Sequence, residues 1–151
     1  MTQDGDRVTF LIVDDDDVAI MGMQRAIRKL DLANPIEIAR NGEEALALLR
    51  DGVERPYIVT LDLNMPRMGG LEFLEEVRND ATLQDAIIFV VTTSDAPRDI
   101  AAAYSRNIAG YIVKDNAYET LKSALDLLRN YTGIVKLPNT APSRMMELRM
   151  I

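Results

Sequence analysis

The chain has 151 residues, and 48% of them are hydrophobic, enough for one domain with a sizeable core. Aromatics make up 5% and Trp is absent, so that core is expected to be Ile, Val, Leu, Ala and Met. A net charge of -7 and a pI near 4.6 argue against nucleic-acid binding, which wants a basic face, and the lack of Cys and His excludes a disulfide framework, Cys-ligated zinc and phosphohistidine chemistry on this chain.

Residues 1–6 (Met-Thr-Gln-Asp-Gly-Asp) are polar, are expected to be frayed, and contain no signal-peptide core. No apolar run approaches a membrane span, so a soluble cytoplasmic protein is expected, with no membrane partner. Residues 8–13 (Val-Thr-Phe-Leu-Ile-Val) read as a first strand and end in four carboxylates, Asp14, Asp15, Asp16 and Asp17. A solvated charge run is the bland reading. It is weakened because like charges beside a buried strand repel. One of these residues is expected to cap the next helix, over about 18–30, whose apolar stripe is Ile20, Met23, Ile27 and Leu30.

Asn34-Pro35 breaks the chain before a short second strand over 36–39. Asn41 and Glu44 then resemble a capping box, Ala45, Leu46, Leu48 and Leu49 supply a core face, and Asp51-Gly52 stops that helix. The next stretch, residues 57–66 (Tyr-Ile-Val-Thr-Leu-Asp-Leu-Asn-Met-Pro), organises the rest. A β-branched run leads into one carboxylate, Asp62, and is closed by turn residues, as in a buried parallel strand. Asp62 is therefore the prime candidate for the chemistry, against the plain reading of an Asp that caps a loop.

Gly69-Gly70 ends the following loop, and a helix over about 71–79 is expected to turn Leu71, Leu74 and Val77 inward. Residues 86–92 form a fourth strand ending in Thr92, Thr93 and Ser94. Asp95-Ala96-Pro97 suits a cap with Pro in the first turn of a helix over about 97–107, whose small face would be Ala101, Ala102 and Ala103. A fifth strand over 110–113 ends at Lys114. A last helix over about 117–131, with Leu121, Leu125 and Leu128 inward, stops at Gly133. The tail is expected to be extended at first. Its end carries Met145, Met146, Leu148, Met150 and Ile151, which fits either a partner-binding segment or an unstructured end.

Strands alternating with helices imply an α/β fold: a flavodoxin-like, doubly wound, five-stranded parallel sheet in the order 2-1-3-4-5, with five helices and a C-terminal extension. Its units are a flexible N-terminus over 1–6, one domain over 7–131 and the extension over 132–151. In that order the carboxyl ends of the strands bring Asp14, Asp15, Asp62, Thr92 and Lys114 to one crevice. Clustered carboxylates call for a hard divalent cation such as Mg²⁺. A lone Lys across the site would balance an anion rather than the metal. Metal, carboxylate nucleophile, Lys and hydroxyl together suit phosphoryl transfer to an aspartate. No Gly-rich loop able to cradle a nucleotide is present, so the donor must come from elsewhere.

The residues Leu11-Ile12-Val13-Asp14-Asp15, Leu61-Asp62-Leu63-Asn64-Met65-Pro66 with Gly69-Gly70, Val91-Thr92-Thr93 and Gly110-Tyr111-Ile112-Val113-Lys114 together resemble a CheY-like receiver domain of a two-component response regulator. The resemblance implies that Asp62 accepts a phosphoryl group from the phosphohistidine of a sensor histidine kinase or phosphotransfer protein. Asp14, Asp15, Asp62 and the backbone carbonyl of Asn64 would then hold Mg²⁺. Thr92 and Lys114 would contact the phosphoryl oxygens, and Tyr111 would be the aromatic that swings when that threonine moves. A half-buried strand aromatic is the alternative for Tyr111. Receivers usually carry Pro after this Lys, in a cis peptide. Here Asp115 stands there, and because a cis bond before a non-Pro residue costs about 2.5–4 kcal/mol, a trans Lys114–Asp115 bond is expected.

Thr92-Thr93-Ser94, Ser105 near Tyr104, residues 107–114 and Val135-Lys136-Leu137-Pro138 are similar to the small stand-alone regulators that serve phytochromes. That narrower resemblance implies a bacteriophytochrome as kinase. It also implies a homodimer through the face formed by the fourth helix, fifth strand and fifth helix, with the C-terminal extension. Ala101, Tyr104, Ile108 and Tyr111 are candidates for the moving face, against ordinary packing. The expected function is a phosphoacceptor switch and not an enzyme acting on a separate substrate. One competing reading is a Mg²⁺-dependent phosphatase with an aspartyl intermediate, but its general acid would fall at Asn64, which cannot donate a proton in that way. The other is a degenerate receiver serving only as an interaction module, against which the full set Asp14, Asp15, Asp62, Thr92 and Lys114 argues.

Overall fold

In the computed structural model, residues 8–30 and 34–114 are described, together with Ser123 and Asp126. The elements follow in the order β1 (Thr9–Val13), α1 (Asp17–Leu30), β2 (Ile36–Ala39), α2 (Gly42–Asp51), β3 (Tyr57–Leu61), α3 (Gly70–Asn79), β4 (Ile87–Thr92), α4 (Pro97–Tyr104) and β5 (Gly110–Val113). The strands form one parallel sheet in the order β2-β1-β3-β4-β5, as the alternation of strand and helix signals predicts. Among the described residues there are four helices, and none is long and apolar enough to cross a membrane. The expected fifth helix, the tail beyond it, residues 1–6 and the Lys114–Asp115 bond lie outside the described residues, although Ser123 and Asp126 themselves are helical.

Strand alternation divides the core in two. Phe10, Ile12, Ile58, Phe89 and Val91 face Ile20, Met23 and Ile27 of α1. Leu11, Val13, Val59, Leu61, Ile88 and Val90 face the other way, onto Ala45, Leu46 and Leu49 of α2 and Phe73, Leu74 and Val77 of α3. Each fully buried large side chain contributes about 1.5–3 kcal/mol, so β1, β3 and β4, buried on both faces, form a rigid base. Val13 pairs with Leu61, so β1 and β3 end level with one another, while Leu61 pairs with Val90 and β4 runs two residues further, to Thr92.

Helix α2 begins as its sequence predicts. Asn41 Oδ1 accepts from the Glu44 N–H at 2.9 Å, Asn41 Nδ2 donates to Glu44 Oε2, and Gly52 closes the helix with φ 113°. Leu48 and Leu71 are partly buried and pack against the edge of the core, while Phe73, two residues on from Leu71, is fully enclosed. Phe73, Leu74 and Val77, at spacings of one and four, share the inward face of α3. Helix α4 stops at Tyr104, and of its alanines only Ala103 is buried; Ala101 is exposed, because consecutive positions cannot share one helix face. Helix α4 begins within Asp95-Ala96-Pro97 as expected: Ala96 is the N-cap, Pro97 stands in the first turn, and Ser94 Oγ takes the Ala96 N–H at 3.4 Å.

Candidate functional site

The site lies where β1, β3, β4 and β5 end. Beyond each strand the ladder continues by one bond. The Asp14 N–H donates to Ala39 O at 3.0 Å, the Asp62 N–H to Val13 O at 2.9 Å, and the Lys114 N–H to Thr92 O at 2.8 Å. The backbone thus brings Asp14 and Asp62 level with one another, with Thr92 one position further along β4 and Lys114 just past its partner Val113, before any side chain interacts. Carboxylate oxygens of Asp14, Asp15 and Asp62 lie within 4.8 Å of one another. Asp14 and Asp62 are buried and Asp15 is exposed, so the cluster has a solvent side.

Each buried carboxylate has a donor from another strand end. Thr92, itself fully buried, donates Oγ1 to Asp62 Oδ1 at 2.7 Å, and the Asn64 N–H reaches the same oxygen at 3.4 Å. Lys114 Nζ donates to Asp14 Oδ2 at 2.7 Å, and the Asp16 N–H to Asp14 Oδ1 at 3.0 Å. Burial pushes the Asp14 carboxyl above the usual carboxylate range; Lys114 and the Asp16 N–H hold it back. The Lys114 side chain is 12% exposed, and an ammonium so enclosed takes the nearest counter-charge, here Asp14.

The run of four aspartates divides by task. Asp14 and Asp15 enter the cluster. Asp16 caps α1, its Oδ1 accepting the Val18 N–H at 3.0 Å. Asp17, in the first turn, pairs with Arg40 at the end of β2. Tyr111 is half-buried and donates its hydroxyl to Ser94 O at 2.9 Å, while Ser94 Oγ donates to Asp99 Oδ2 at 2.6 Å. Burial raises the Tyr111 hydroxyl above its ordinary range. Asn64 is exposed in the loop behind Asp62. Every predicted site residue therefore reaches this edge of the sheet. Sequence reasoning missed Asp99 as the partner of Ser94, for which no local spacing gives a signal.

The donor set fits a hard divalent cation. It is all oxygen, it comes from three carboxylates within reach of one ion, and its one ammonium leaves it net negative.

Three comparisons bear on this arrangement. The family model described as response regulator receiver domain matches residues 10–126. The probable methanogenesis regulatory protein FilR2 of Methanothrix harundinacea is 32% identical over 130 residues, covering 83% of this chain and 84% of that protein. Among solved structures, the phosphorylated cyanobacterial phytochrome response regulator RcpA superposes with TM-score 0.80 at 28% identity, covering 87% of this chain and 99% of the other. The Mn²⁺-bound form of the response regulator Rcp1 does so with TM-score 0.76 at 26% identity, covering 86% and 98%.

Proposed function

The chain belongs to the response regulator receiver domain family, and from that premise we propose that it is a phosphoacceptor switch of a two-component phosphorelay. The observation that carries this is the contact of Thr92 with Asp62, and of Lys114 with Asp14, at the ends of four strands. An Asp62 oxygen attacks the phosphorus of a phosphohistidine on a partner kinase or phosphotransfer protein. The bond from phosphorus to the ring nitrogen breaks as the bond to Asp62 forms, and imidazole leaves. Before transfer, Asp62 Oδ1 accepts from the Thr92 hydroxyl and the Asn64 N–H.

Asp14, Asp15, Asp62 and the Asn64 carbonyl would hold Mg²⁺, which when bound neutralises charge on the transferring phosphoryl group. Thr92 and Lys114 are poised to turn from Asp62 and Asp14 onto phosphoryl oxygens, stabilising charge in place. When Thr92, the last residue of β4, turns, the loop that follows it moves too, because the Ser94 N–H reaches Thr92 Oγ1 at 3.5 Å. Tyr111 is tied to that loop through Ser94, so the change reaches β5 and α4. The output is a protein contact and not turnover of a separate substrate. We read the protein as cytoplasmic, its kinase as a bacteriophytochrome and its assembly as a homodimer through α4, β5 and the residues beyond 114. The similarity to RcpA supports the phytochrome link, and the exposed Tyr104 on α4 supports the dimer face.

The test is transfer from a phosphorylated bacteriophytochrome kinase domain, followed by mass and light scattering. Transfer in seconds to minutes with a change in oligomer size supports the full reading. Phosphorylation by a small donor without transfer from this kinase overturns the phytochrome link alone. No phosphorylation by either favours a module that acts by contact only.

A further inference from the structure

The loop over residues 62–69 carries Asp62 and Asn64, and its shape is set from outside the site. The Gly70 N–H donates to Leu63 O at 3.0 Å and closes the loop's base. A Cβ on Gly70 would lie 2.5 Å from Asp62 O and 2.7 Å from Leu63 Cα, backbone atoms that cannot give way. Arg67 adopts φ 64°, a costly conformation for a residue with a long side chain, and it swings the next carbonyl towards α2. There the Gly42 N–H, the first of the helix, donates to Met68 O at 2.9 Å. That amide would otherwise lack an intrahelical partner. A Cβ on Gly42 would lie 2.6 Å from Met68 Cγ, 2.9 Å from Met68 O and 2.9 Å from Met68 Sδ. Gly42 has no positive φ, so the position wants glycine for space and not for backbone freedom.

We infer that Gly42 is a positioning residue for the phosphoacceptor site: the start of α2, through Met68, fixes the loop that presents Asp62 and the Asn64 carbonyl. Gly42 touches no carboxylate of the cluster and acts only through this contact. The inference rests on the phosphoacceptor reading above. It makes a prediction opposite in sign to local propensity, since Ala is better than Gly inside a helix by about 1 kcal/mol.

The experiment follows amide resonances of the native chain, Gly42→Ala, and Gly42→Ala with Met68→Ala during Mg²⁺ titration. Melting temperature and the rate of phosphoryl mass gain are measured in parallel. Gly42→Ala is expected to bind Mg²⁺ roughly tenfold more weakly, as loss of support behind metal ligands does. Adding Met68→Ala, which removes Cγ and Sδ but leaves Met68 O, is expected to recover part of that loss. A folded Gly42→Ala with native Mg²⁺ affinity and native phosphoryl uptake overturns the inference, whatever its melting temperature. Should that variant not fold, the native chain decides: the Gly42 amide shifts with the same saturation as the site if the contact is coupled, and an unmoved amide overturns it. A native chain that binds no Mg²⁺ overturns the metal reading beneath it, whereas native binding with indifferent variants overturns this inference alone.

Discussion

Thr92 Oγ1 stands 2.7 Å from Asp62 Oδ1, joining the residues that end β4 and follow β3. Both are buried, so this hydrogen bond is shielded from water. Thr92→Val keeps the shape and removes the donor. A hydrogen bond to a charged group is worth about 1.5–3 kcal/mol. Phosphoryl uptake is therefore expected to slow about tenfold or more, with Asp62 still the acceptor, as read by intact mass over time. An unchanged rate would show that Thr92 does not stabilise the transferring group.

The Lys114–Asp14 pair predicts a pH effect. Burial raises the Asp14 carboxyl, so the folded chain holds that proton to higher pH than the unfolded chain, whose value is near 3.8. More protons on the folded state mean stability that falls as pH rises from about 3.8 through the folded value, then levels. Lys114→Met removes the main group holding Asp14 down, so the fall is expected to be steeper and to extend to higher pH. Urea midpoints between pH 4 and 8, without divalent cations, measure it.

Asp80 predicts the opposite slope. Its Oδ1 accepts the Thr82 N–H at 2.9 Å and the Thr82 hydroxyl at 2.7 Å, and Oδ2 faces Arg50. The Thr82 bonds, with Arg50, hold the carboxyl below its usual value. Its stabilisation is present above about pH 3.8 and is lost as pH falls through the folded value. Asp80→Ala is expected to lower stability by about 1 kcal/mol at pH 7, with the difference from the native chain closing towards pH 3.

Arg78 binds four carbonyl oxygens, those of Gln84, Ala86, Arg106 and Asn107, at 2.7–3.0 Å. It ties the end of α3 to the turns on both sides of β4 and α4. Arg78→Met would strand those acceptors and cost about 2 kcal/mol or more. Arg78→Lys is expected to recover little, because one ammonium cannot replace a planar fork. Thermal unfolding of both variants checks this.

The strands, their order and the whole carboxylate–hydroxyl–lysine set are legible in the sequence, because short β-branched runs ending in Asp14, Asp62, Thr92 and Lys114 leave little choice of register. Tertiary roles are not. Nothing near Arg78 in the sequence announces four carbonyls from two distant turns. Gly42 reads as an ordinary helix start until Met68 is placed against it. Lys114 could be aligned with the site, but its pairing with Asp14 depends on burial that only packing defines. Phe73 was hidden because a spacing of three from Leu71 to Leu74 and Val77 passes over it, although it lies four residues before Val77 on the same face.

The central claim is that Asp62 is the phosphoacceptor. Its most direct test is incubation of the native chain and Asp62→Asn with acetyl phosphate, with Mg²⁺ and with chelator, read by intact mass. The expected result is a base-labile gain of one phosphoryl group on the native chain with Mg²⁺ only. A gain on Asp62→Asn, or none on a folded native chain, would contradict it.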